Sequence, residues 1–259
     1  MSEMQWRQRD DVRWLEAQLP GARAAFTTRL GGVSTGPYES LNLALLGGDG
    51  REEVRENRHR AAAAVGHRPE GVLIGRQVHG AELAHHDTAP IPSAWARPGA
   101  DLPEVDGQVT SRAGLVPLVM VADCLPVALA GSGGVAMLHC GWRGLAEGII
   151  DGGARAVNAT KAAIGPGIGP CCYEVGEEVL AHFEHLGDGV SEGRMLDLVA
   201  VARRLLAEAG VESVADSGLC TSCHPELFYS HRRDGDPSGR QAGLVWIEEP
   251  GRDPAATEA

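Results

Sequence analysis

The chain has 259 residues and a formal charge of −12, so it can bury a substantial core unaided, since about three quarters of the surface leaves water near this length. The acidic balance argues against the dense Lys/Arg patches that nucleic-acid and acidic-membrane partners require. Residues 1–11 are polar and no apolar run approaches a membrane span, so a cytoplasmic protein with its six cysteines reduced is expected. No linker-like stretch divides the sequence, and one domain over 1–259 is expected, with an ordered core at about 20–249 and a flexible tail at 250–259.

Residues 23–28 read as a short strand running into a Gly/Ser/Thr-rich loop at 29–43, which either offers backbone N–H groups and Arg29 to an anion or is a surface turn. Asp49 is placed to cap a helix through Val65, with Glu52 and Glu53 in its first turn and Gly66 past its end. Asn57 and Arg58 ride on that helix, where an Arg usually belongs to a solvated face. Residues 72–78 read as a strand delivering Gln77, Val78, His79 and Gly80; a His at a strand end suits a ligand, although a single His is more often structural. His85 and His86 point to opposite faces and read as surface or core histidines. A Pro/Ala loop at 90–103 precedes a short strand at 105–111 that carries Asp106.

The stretch 118–145 concentrates the chemistry. Residues 127–130 and 135–138 form two strands of a hairpin about the loop Gly131, Ser132, Gly133 and Gly134. Symmetric pairing sets Ala130 against Val135, Pro126 against His139 and Cys124 against Gly141. Cys124 and His139 then share a face with their backbones about 7–8 Å apart, within reach of one metal ion. Cys140 points to the other face as a small core residue, and Pro126 argues for a sheet edge or a bulge.

Residues 143–163 read as helical, and the turn-rich GPGIGPCC at 165–172 lacks the Lys-Ser/Thr ending of a P-loop. Val175, Val179, Leu180, Phe183 and Leu186 have helical spacing, as do Leu196, Val199, Leu205 and Leu206. His182 and His185 read as a solvated face, while 211–214 and 243–248 close the sheet. CTSCH at 220–224 spells a haem-attachment site, but that chemistry needs export. His224 and Glu226 have the His-x-Glu spacing of a zinc deaminase, but the Cys-x-x-Cys pair that should lie far downstream precedes them here. A structural zinc at Cys220 and Cys223 needs a second ligand pair, and none stands out in the sequence.

TTRLGGVSTGPYESLNL, ENR at 56–58, QVHG at 77–80, ADCLPV at 122–127, HCGWRGL at 139–145, GPGIGPCCYEV, CT at 220–221 and FYSHRRDGDPSGR together resemble the YfiH-like laccase-domain family. Its members were first labelled polyphenol oxidases and later purine nucleoside phosphorylases. The resemblance runs in order from about Phe26 to Trp246. It implies an α/β fold of the mixed α+β kind, with a central mixed sheet flanked by helices, and a catalytic zinc on His79, Cys124 and His139. Three protein ligands leave an open fourth position, and copper, Cu2+, can occupy the same ligands. The implied activities are phosphorolysis of adenosine, inosine, guanosine and methylthioadenosine, and deamination of adenosine to inosine. Small-molecule purine nucleoside and phosphate are the expected partners. Arg29, Arg58 and Arg143, with Asn42 grouped beside them, are the expected substrate and phosphate residues. Arg143 leads because it follows the hairpin and opens a helix. Asp106 and Glu174 are candidates for proton transfer, or turn and capping residues. Two departures stand out: Cys140 occupies a position where the family usually has Ala, and Cys223-His224 is outside its pattern.

Rival readings use the same residues. Cys124 as nucleophile with His139 as base would make a metal-free cysteine hydrolase, in line with the fold's likeness to toxin deamidases, or an amidase editing peptidoglycan precursors. A multicopper polyphenol oxidase needs His-x-His pairs, which the ten histidines never form. A non-enzymatic metal or nucleoside sensor belongs to a different class. The sequence leaves oligomeric state open.

Overall fold

The computed structural model describes residues 4–45, 47–90 and 93–248; the tail expected at 250–259 and part of the 90–103 loop lie outside them. The first half of the chain forms β1 (Met4–Arg9), β2 (Val12–Leu19), β3 (Ala22–Thr27), α1 (Arg51–Ala64), β4 (Val72–Leu73), β5 (Leu83–His86), β6 (Gly107–Thr110) and β7 (Val116–Val121). The hairpin β8 (Leu125–Gly131) and β9 (Gly134–Cys140) follows, then α2 (Trp142–Ala146), α3 (Ile149–Val157) and β10 (Ala159–Ile164). The remainder is α4 (Glu177–Leu180), β11 (Ser191–Glu192), β12 (Met195–Leu196), α5 (Leu198–Glu208), β13 (Ser213–Asp216), α6 (His231–Asp234) and β14 (Gln241–Ile247).

The mixed α/β class agrees with expectation, but the central sheet is two sheets. Their orders are β1-β2-β3-β14-β7-β4 and β13-β10-β8-β9-β6-β5, with β11 and β12 as a separate ribbon. Both are mixed: β4 runs parallel to β7, and β5/β6 and β10/β13 are the parallel pairs of the second sheet. Phe26, Val119 and Val245 from one sheet meet Ala128, Met137 and Ala163 from the other. The outer face of the first sheet packs on α1 and Trp95, and that of the second on α3 and α5. Strands buried on both faces read as unbroken apolar runs, as β8 and β9 do. Among the described residues, no helix is long and apolar enough to cross a membrane.

Several boundaries differ from the sequence reading for physical reasons. Strand structure begins at Met4, well before residue 20, because β2 buries Val12, Trp14, Leu15, Ala17 and Leu19 and lets the exposed β1 pair along its edge. The helix expected over 143–163 breaks at Gly148 (φ 90°) and stops at Asn158 (φ 48°). Ala162, Ala163 and Ile164 are instead fully buried in β10 between β8 and β13, so tertiary pairing overrides the helix preference of Ala. Only residues 72 and 73 of the 72–78 segment form a strand. Helical spacing at 175–186 yields two separate turns, α4 and a 3-10 turn at Glu184–Leu186, and no continuous helix, whereas α5 forms as expected, Ala200 N–H donating to the Asp197 carboxylate at 2.9 Å. Asp49 does not cap α1, whose N-cap is Gly50. Its carboxylate accepts hydrogen bonds from Ser34 Oγ (2.6 Å) and Asn42 Nδ2 (2.8 Å) instead.

Candidate metal centre

The hairpin pairs in the expected register, Ala130 with Val135 and Pro126 with His139. Pro126 is not at a sheet edge, since β8 lies between β9 and β10; it sits where the β10 ladder has just ended, and its carbonyl accepts the Gly165 N–H at 2.9 Å. Cys140 points into the core and is fully buried. Cys124 lies one residue before the ladder, in the short link that carries the chain from β7 in the first sheet to β8 in the second. A Cβ added at Gly141 opposite would stand 3.0 Å from Cys124 Sγ and 3.2 Å from His79 Cδ2. A side chain here would push Cys124 and His79 aside by a few tenths of an ångström.

His79 arrives from a tight turn, at φ 66°. The turn is held from both ends. Gln77 bridges to β7, donating to Met120 O (2.7 Å) and accepting Met120 N–H (2.8 Å). The N–H groups of Val78, His79 and Gly80 all donate to the Asp106 carboxylate, at 3.0, 2.9 and 2.8 Å. Asp106 is fully buried, and its Oδ1 also lies 2.7 Å from His139 Nδ1. Its main-chain carbonyl accepts the His139 N–H at 2.7 Å. One residue thus fixes the His79 turn and the His139 ring together.

The outcome is a group in which one ligand atom each from His79, Cys124 and His139 lies within 4.8 Å of the others. The two imidazoles meet edge to face, with ring centroids 4.9 Å apart. With Nδ1 of His139 engaged by Asp106, its Nε2 is left for a ligand. Burial alone would raise the Cys124 thiol, but the His139 charge and hydrogen bonds from both imidazoles hold it at about 6. Burial would lower His139, yet the Cys124 thiolate and the Asp106 carboxylate raise it to about 9. The set is two imidazoles and a stabilised thiolate, which suits a borderline-soft divalent ion.

The other sequence candidates divide differently. Arg58 is 4% exposed, not on a solvated face; it donates to Leu43 O (2.8 Å), Ala94 O (3.1 Å) and Trp95 O (3.4 Å) and packs over the Trp95 ring. Burial pushes its guanidinium down to about 10. Asn42 is 1% exposed, its amide engaged by Ala44, Asp49 and Arg240. Arg29 donates to Glu39 O and Pro225 O and lies over Tyr229. These three organise loops. Arg143 is exposed and lies over Trp142, but α2 spans only five residues and brings little helix dipole. Asp106 faces three backbone amides and His139. Glu174 is exposed, pairs with Arg194 at 3.0 Å, and is left out of the three-residue group.

Residues around Cys124 that carry no obvious ligand chemistry in the sequence also shape the site. Asp123 (φ 96°) accepts from Thr221 Oγ1 at 2.6 Å and from Arg232 N–H at 2.7 Å, pinning the link that carries Cys124. Tyr173 is pushed up to about 12 by burial and by the Cys124 charge, and lies under the Arg232 guanidinium. All four lie within the motifs quoted above, which was the available signal. The structure also supplies the second cysteine pair that the sequence did not reveal: Cys171 and Cys172 lie against Cys220 and Cys223.

Residues 23–248 match the family model described as multi-copper polyphenol oxidoreductase laccase. A protein named purine nucleoside phosphorylase from Xylella fastidiosa is 39% identical over 248 residues, covering 88% of this chain and 93% of that protein. Purine nucleoside phosphorylase YfiH from Escherichia coli is 37% identical, covering 89% and 96%. Among solved structures, YlmD from Geobacillus stearothermophilus superposes with a TM-score of 0.87 at 33% identity, covering 96% of this chain and all of that one. The Bacillus licheniformis protein YfiH gives 0.83 at 30% identity, covering 94% and 99%.

Proposed function

The chain belongs to the multi-copper polyphenol oxidoreductase laccase family, and we propose that it is a zinc-dependent enzyme that cleaves purine nucleosides by phosphorolysis. The observation that carries this reading is the convergence of His79, Cys124 and His139 within 4.8 Å. Two imidazoles and one thiolate fit zinc and leave one coordination position for a non-protein group. Zinc bound there supplies Lewis acidity to whatever occupies that position. Asp106 holds the His139 ring and the His79 turn in register for it.

The names of the relatives suggest the reaction. A phosphate oxygen forms a bond to the ribose C1′ as the C1′–N9 bond breaks, and the purine leaves with a proton. Arg143 is the proposed phosphate residue, because its guanidinium fork is exposed beside the hairpin and matches phosphate oxygens in a bidentate way. Arg143→Ala is expected to raise the KM for phosphate about tenfold, the loss of one charge-assisted contact.

The test is product analysis for adenosine and inosine, with and without inorganic phosphate, on zinc-loaded protein. Free purine base and ribose 1-phosphate, formed only with phosphate, are the expected products. Inosine and ammonia from adenosine without phosphate would replace phosphorolysis with deamination. A second reading is favoured by one observation: Cys124 held as a thiolate beside a protonated His139 resembles a cysteine-hydrolase pair. Rapid alkylation of Cys124 in protein that binds no zinc would support it against the metal reading.

A further inference from the structure

We propose that the chain carries a second metal centre, a closed structural zinc site formed by Cys171, Cys172, Cys220 and Cys223. It is separate from the His79, Cys124 and His139 group and does not rest on the proposed activity. Each of these cysteines offers a sulfur, and all four sulfurs lie within 4.8 Å of one another. Cys223 Sγ is 3.5 Å from both Cys171 Sγ and Cys172 Sγ. Four thiolates at about 2.3 Å from a tetrahedral zinc stand about 3.8 Å apart, so the sulfurs need move by no more than about 1 Å to close around an ion. A disulfide, by contrast, needs about 2.0 Å between sulfurs, and all four cysteines are free.

A backbone amide already points at one of the four sulfurs. The Gly169 N–H donates to Cys220 Sγ at 3.2 Å. Bonds of this kind stabilise a thiolate ligand and fix its direction. Cys220 and Cys223 supply a Cys-x-x-Cys pair from one segment, while Cys171 and Cys172 come from a second segment some fifty residues earlier. The two segments are already joined by a parallel bridge between Gly167 and Cys220, and by the Thr221 N–H donating to Gly167 O at 2.9 Å. Four protein ligands leave no open position, so the ion would be structural.

Its place in the fold gives it a consequence. Thr221, next to Cys220, donates to Asp123, which precedes Cys124, and Tyr173 follows Cys172. Arg232 donates to the carbonyls of Cys172 (3.4 Å) and Glu174 (2.9 Å). Zinc at the four cysteines ties together the two segments that flank the first centre.

The experiment uses the full chain, produced with zinc in the medium and purified under reducing conditions without chelator. Zinc per chain is measured for wild type, His79→Ala and the double variant Cys171→Ser/Cys223→Ser. Two sites predict about two zinc ions in wild type and about one in each variant. A single zinc that disappears with His79→Ala would overturn the second site and leave the first standing. A single zinc that survives His79→Ala and disappears with the cysteine variant would do the reverse. Should the cysteine variant fail to fold, cobalt loading of His79→Ala gives an independent reading. Intense sulfur-to-cobalt charge-transfer absorption of a tetrahedral four-thiolate site is expected, together with protection of four of the six thiols from a thiol reagent until the metal is removed. Absence of that absorption, with these cysteines reacting equally fast in the presence and absence of metal, overturns the proposal.

Discussion

Asp106 joins the His79 turn and the His139 ring through one carboxylate. Burial opposes its charge, but the hydrogen bonds from His139 and from the amides of Gly80 and Val78 hold it below the usual carboxylate range. Partners of this kind set the tautomer and direction of a ligating imidazole, and losing one typically costs 10–100-fold in metal affinity. Asp106→Asn is expected to lower zinc affinity by about that factor, as measured by competition with a chromogenic chelator; an unchanged affinity would remove Asp106 from the site. Gly141→Ala is expected to reduce zinc content with little change in secondary structure, since the added Cβ meets Cys124 Sγ and His79 Cδ2. Full zinc occupancy in that variant would show that the close approach is not needed. At this scale the sequence revealed Cys124 and His139 directly, because alternation along a strand is a fixed period. His79 could not be paired with them from spacing alone, since it reaches the site from a turn in a different part of the chain. The role of Asp106 was hidden because nothing in a sequence shows that a carboxylate turns inward toward three amides.

The hairpin and α1 show opposite fates of element-level reasoning. In β8 and β9 the apolar runs and the Gly-rich loop agree with the final pairing, so even the register was readable. In α1 the extent was readable but the roles of its residues were not. Arg58 reads as solvated on an isolated helix, yet loop 29–43 and Trp95 fold over it and bury it. Arg58→Ala therefore leaves carbonyls unsatisfied and a void beside Trp95. A loss of about 2–4 kcal/mol in unfolding free energy is expected, with the KM for phosphate unchanged. A raised phosphate KM in a variant of normal stability would restore Arg58 to the substrate site. β10 was unreadable for a different reason. Its Ala-rich sequence favours a helix locally, and only the β8 and β13 partners, 28 or more residues away at their nearest edges, make it a strand.

On the scale of the whole molecule, the site exists because two sheets meet where the chain passes from β7 to β8. Composition and motif order indicated a mixed α/β fold. They did not indicate two sheets, since the division depends on β14 returning from the C-terminal end to lie between β3 and β7. Glu248, just past β14, ties that return to the N-terminal strands through Arg23 (2.5 Å) and Gln18 (2.8 Å). Burial works against its charge, but the hydrogen bonds from Arg23 and Gln18 keep it below its ordinary value of 4.5. The sign follows from linkage: the contribution is present above that ordinary value and is lost as pH falls through the lower folded-state value. Glu248→Gln is expected to lose stability of about 1 kcal/mol or less at neutral pH, with the difference from wild type shrinking below pH 4.5. A difference that grew on acidification would contradict this. The central claim, a zinc ion on His79, Cys124 and His139, is tested most directly by anomalous diffraction from crystals of the protein at the zinc absorption edge. A peak about 2.0–2.3 Å from the two imidazole nitrogens and the Cys124 sulfur is expected. Crystals of zinc-supplied, reduced protein with no peak among those three side chains would contradict it.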